Sequence, residues 1–97
     1  MEEELEESWK ILETTEVNCC ETKEEIKQAN EILYRLKMEC KYMNASEKLE
    51  ELKKLQKINI LGVSSKSMKD IRTKDKLIKA IEIIENNCRK EIEGLQQ

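Results

Sequence analysis

Histidine, proline and phenylalanine are absent from these 97 residues, and glycine occurs only at Gly62 and Gly94. Each absence excludes something. Without histidine, the side chain most often used as a general base near neutral pH is missing. Without a glycine-rich loop, no backbone cradle for phosphate is available. The four cysteines, Cys19, Cys20, Cys40 and Cys88, form no C-x2-C unit, and with no histidine beside them they match no common zinc spacing. Cys19 and Cys20 are adjacent, and on a helix their side chains would point about 100° apart, poor geometry for a mutual disulfide. The expectation is a chain with no catalytic residues, no metal and no cofactor.

Long apolar runs are also missing. No stretch of 18 apolar residues occurs, so no membrane-spanning helix is expected. The opening MEEELEE is acidic, the reverse of a secretory leader, which points to the cytoplasm and to reduced cysteines. Aromatic residues are reduced to Trp9, Tyr34 and Tyr42.

What remains is helix-forming material, since Glu, Lys, Leu and Ile dominate the chain. Hydrophobic residues make up 38% and charged residues 40%, less apolar and more charged than an average globular domain. A chain of this size buries only a modest fraction of its surface, so a second copy or a helical partner protein would relieve a thin core. Steps of seven from Leu5 give Leu12, Cys19, Ile26, Leu33 and Cys40, all apolar. The companion position reads Ser8, Thr15, Thr22, Ala29, Leu36 and Met43. A 3.5-residue apolar period suits packing against another helix. The unbroken phase predicts one helix over about residues 3–43, even though TTEVNCCET is β-branched and polar, and Thr22 with Glu25 fits a capping box.

Asn44 or Ser46 can cap the next helix, with Glu47 three residues after Asn44, and Leu49, Leu52, Leu55 and Ile58 carry a helix over about 46–60. Gly62 is placed to end it in a left-handed conformation. A polar loop over 62–73 follows, and then a helix over 74–95 with Ile78, Ile81, Ile84, Cys88, Ile92 and Leu95 at spacings of three and four. The predicted fold is an all-α single domain. It is a helical hairpin or three-helix bundle built on one long N-terminal helix, associating as a dimer or with a partner.

Charge is strongly divided along the chain. Residues 1–51 hold 15 acidic and 7 basic side chains, residues 52–80 hold 2 and 9, and residues 81–97 hold 4 and 2. The basic block comprises Lys53, Lys54, Lys57, Lys66, Lys69, Arg72, Lys74, Lys76 and Lys79. One reading sets it against the acidic N-terminal helix, within the chain or across a dimer. The alternative sets it against nucleic acid, whose phosphates need positive charge. Against the alternative, only one of the nine is arginine and no aromatic lies between 43 and 97 to stack on bases. The expected function is that of a small non-enzymatic adaptor or regulator. It would act through protein contacts along the seam of Leu5, Trp9, Leu12, Ile26, Leu33 and Leu36, with Trp9 as aromatic anchor.

Overall fold

The computed structural model describes residues 2–65 and 73–96. In chain order the elements are α1 (Glu2–Thr14), β1 (Thr15–Cys20), α2 (Lys23–Glu39), a 3-10 turn (Cys40–Tyr42), α3 (Ala45–Lys57), β2 (Ile60–Ser65) and α4 (Thr73–Gln96). The chain is mostly helical, as its composition demands, but it is not purely so. β1 and β2 pair as a two-stranded antiparallel sheet.

The single helix expected over 3–43 is therefore two helices with a strand between them. The seven-residue repeat crosses the break without losing phase, because it counts residues and carries no information on backbone shape. Local chemistry decides instead. Thr14, Thr15 and Val17 are β-branched and favour extended backbone. Over the first four residues of β1 burial alternates, with Thr15 and Val17 inside and Glu16 and Asn18 outside, the period of a strand. The longest dimension of the molecule is 41 Å, whereas a continuous helix over 3–43 would reach about 60 Å. Thr22 starts α2: its hydroxyl oxygen accepts from the Glu25 backbone N–H at 3.1 Å, and its hydroxyl donates to Glu25 Oε1.

Asn44 caps α3 by accepting from the Glu47 N–H at 2.9 Å. The helix stops at Lys57, short of the expected residue 60, where Ile58 turns extended and donates its N–H to the Leu55 carbonyl. Gly62 does not end it. No glycine among the described residues has positive φ. Gly62 lies within β2 opposite Cys19, at an irregularity in the ladder between Val17 and Cys20. A Cβ at Gly62 would stand 3.1 Å from Cys19 Cβ and 3.2 Å from Asn18 Oδ1, so glycine serves close strand approach there. Residues 62–65 of the expected loop over 62–73 are thus strand, Thr73 opens α4, and residues 66–72 lie outside the described residues.

Buried side chains from every helix and both strands form one cluster: Leu12 from α1, Val17 from β1, Ala29, Ile32, Leu33 and Leu36 from α2, Ala45, Leu52 and Leu55 from α3, Ile60 from β2, and Leu77, Ala80, Ile81, Ile84 and Cys88 from α4. Asn30 of α2 ties the sheet to the helices. Its Oδ1 accepts from the Val17 N–H and its Nδ2 donates to the Val17 carbonyl, both at 2.8 Å. One side chain thereby satisfies both backbone groups of Val17, as a neighbouring strand would. Among the described residues, no helix is long and apolar enough to cross a membrane.

Candidate protein-interaction surface

The predicted seam is divided between core and half-buried positions. Leu12, Leu33 and Leu36 are buried in the chain's own core, while Leu5, Trp9 and Ile26 are half-buried. Leu5 and Trp9 pack against the core cluster, and the Lys48 ammonium lies 5.7 Å from the centre of the Trp9 ring. Cys19, one of the seven-residue positions, is exposed on β1.

The basic block is dispersed. Lys66, Lys69 and Arg72 lie outside the described residues. Lys53, Lys54, Lys57 and Lys79 are exposed, and Lys74 and Lys76 are half-buried. Lys76 and Lys79 line a groove of about 800 Å³ between α4 and α1, whose opposite wall carries Glu4, Glu7 and Glu13. Lys54 and Lys57 share a second cleft, of about 500 Å³, with Glu25, Glu31, Arg35 and Glu51. Within it Glu51 is only 7% exposed. Its Oε1 is held by Arg35 Nη1 at 2.9 Å and Lys54 Nζ at 3.5 Å, and its buried Oε2 has no hydrogen-bond partner among the described residues. The fold thus brings Lys54, Lys57, Lys76 and Lys79 beside acidic residues of α1, α2 and α3. Such complementary fields help fix how the helices dock, although each exposed pair contributes only about 0–1 kcal/mol.

Two of the four cysteines, Cys20 and Cys88, pack in or against the core, while Cys19, expected on the apolar seam, is exposed. All four are free thiols; Cys88 is buried, Cys20 and Cys40 are half-buried. Burial pushes the Cys88 thiol up, helped by Glu91 and Glu85 and opposed by Lys48. Burial also raises Cys20, with Glu25 and Cys19 adding to it and a backbone hydrogen bond from Leu61 opposing. Both therefore stay protonated at neutral pH, the unreactive form of cysteine. Among the described residues, no group of three or more cysteine or carboxylate side chains is placed to hold a metal ion.

The surface feature that sequence reading missed is on α2. Tyr34 is 65% exposed, Met38 54% and Tyr42, in the 3-10 turn that continues α2, 86%. Tyr34 and Met38 stand one helical turn apart on one face and line a shallow hollow of about 520 Å³ with Lys27, Asn30, Glu31, Arg35 and Glu39. The sequence signal was available: Tyr34, Met38 and Tyr42 step by four, out of phase with the inward Leu33 and Leu36. It went unread because the apolar seam accounted for the helix without it. Two of the chain's three aromatic residues are thus exposed, one on α2 and one in the 3-10 turn that follows it. No known protein family matches this chain, and neither curated proteins nor solved structures show a significant match.

Proposed function

We propose that this protein acts without catalysis, as a small helical interaction module of the adaptor or regulator kind, and that it docks through the outer face of α2. What carries the reading is the exposure of Tyr34, Met38 and Tyr42 together. Tyrosine, methionine and arginine are enriched at protein interfaces, and buried aromatic anchors often dominate their energetics. A chain this poor in aromatics has every packing reason to place its tyrosines inside. Leu33 and Leu36 on the other side of α2 fill the core instead, which leaves the tyrosine face for a partner. The neighbouring Lys27, Glu31 and Glu39 supply a polar rim of both signs.

The test is a photo-crosslinking amino acid at position 34, compared with the same group at the exposed Lys53 position. Position 34 is expected to yield discrete protein adducts that disappear with Met38→Asp, while position 53 yields few. A parallel titration of labelled oligonucleotides at low and high salt is expected to show no binding. Absence of adducts at 34, or tight and steeply salt-dependent oligonucleotide binding through the lysines, would overturn the reading.

A further inference from the structure

The occupant of the α2 face follows from its charge pattern. We propose that it is a second copy of this chain, with the two α2 helices antiparallel about a twofold axis that passes over Leu36. This rests on the reading of that face as a docking surface and names its partner. A twofold interface must be self-complementary, because each contact occurs twice. Placing the axis at Leu36 sets each residue opposite the one whose number completes a sum of 72. Tyr34 then meets Met38 of the second copy, and Met38 meets its Tyr34, a sulfur–aromatic pair made twice.

The charges agree with this register. Glu31 comes opposite Lys41 of the second copy, again twice. Glu31 lies five residues before the axis, roughly 7.5 Å along an α-helix. Lys41 lies five residues after it, two of them in the 3-10 turn, roughly 8.5 Å away. That difference is within reach of two long, exposed side chains. Registers shifted by four residues fit less well. A sum of 68 sets Glu31 opposite Lys37 but also brings Lys27 against Lys41, so the attraction is offset by a repulsion. A sum of 76 leaves Glu31 facing Ala45, with no cation opposite. Arg35, which the sum of 72 sets opposite Lys37, is already engaged by Glu51 within its own chain. Exposed Glu–Lys pairs add modestly to affinity and more to register, and the apolar Tyr–Met contacts supply the attraction.

Sedimentation equilibrium on the full, reduced chain across a wide concentration range tests the proposal. The wild-type protein is expected to show a reversible monomer–dimer equilibrium. Met38→Asp is expected to abolish it, with Tyr34→Ser as a second variant should the first disturb folding by circular dichroism. Glu31→Lys and Lys41→Glu, each alone, place like charges in contact twice and are expected to weaken dimerisation about tenfold or more. The double variant Glu31→Lys with Lys41→Glu is expected to recover most of the wild-type affinity, because the swap restores both pairs. A wild-type monomer at every concentration would overturn self-docking, as would a dimer indifferent to Met38→Asp and Tyr34→Ser, or a double variant no tighter than the singles. A wild-type monomer that still crosslinks from position 34 to a different protein would overturn the proposal while leaving the interaction surface standing. A monomer with no adduct would remove both.

Discussion

Asn30 illustrates how much a single side chain can carry in so small a fold. Its amide pairs with both backbone groups of Val17, and Val17 is among the most deeply buried residues of the sheet. Asn30→Ala leaves that N–H and carbonyl without their partner. The expected loss is about 1–3 kcal/mol, read as a lower urea midpoint with little change in slope. Asn30→Asp should also lose stability, because the carboxylate keeps an acceptor for the N–H but presents none of the donors that the carbonyl needs. An unchanged midpoint in both variants would show that water replaces the amide without cost. This bond pair was invisible in the sequence, since its partners stand 13 positions apart and no periodicity links them. Thr22, and Asn44 beside Ser46, could be picked out as candidate caps for the opposite reason. Their hydrogen bonds close over three residues, so local spacing contains the whole interaction.

Among the elements, the break between α1 and α2 is decisive. With a strand at residues 15–20 between the two helices, α1 packs against α4. Thr22 is the device that restarts the helix. Thr22→Ala should cost about 0.5–2 kcal/mol and fray the first turn of α2, seen as faster amide exchange at Lys23 to Ile26 relative to α3. Equal protection in the variant would mean that tertiary packing alone fixes where α2 begins. The sequence marked this segment as weak helix and offered a restart at Thr22, yet the apolar repeat from Leu5 to Cys40 outweighed both. The observed strand needs β2 for its ladder, and the pairing of Thr15 with Ser65 and Val17 with Val63 spans more than forty residues. No local window holds that information. Gly62 was similarly singled out as the left-handed end of a helix, whereas its bare Cα admits Cys19 and Asn18 across the sheet.

At the scale of the whole molecule, the core is one cluster to which all the helices and strands contribute. Leu36 is fully buried within it, and Leu36→Ala is expected to cost about 2–5 kcal/mol. Because Trp9 packs against the same cluster, helix signal and tryptophan fluorescence should fall at one shared, lowered denaturant midpoint. Separated midpoints would show instead that α1 unfolds independently of α2. The divided charge of the chain belongs to this scale as well. Lys76 and Lys79 stand across one groove from α1 carboxylates, and Lys54 meets Glu51 in another cleft, so these three lysines lie beside negative neighbours in the same chain.

The sequence by itself determined the helical character, the last helix, and most of the inward set, Leu33, Leu36, Leu52, Leu55 and Ile81 among them, because these depend on residue type and on spacings of three or four; Ile78, on the same predicted stripe, is exposed. Only the tertiary structure decided that residues 15–20 are a strand, that Asn30 and Gly62 serve the sheet, and that Tyr34, Met38 and Tyr42 remain uncovered. Each of those outcomes depends on what lies opposite a residue in space, and a linear pattern carries that only when the partner is near in the chain.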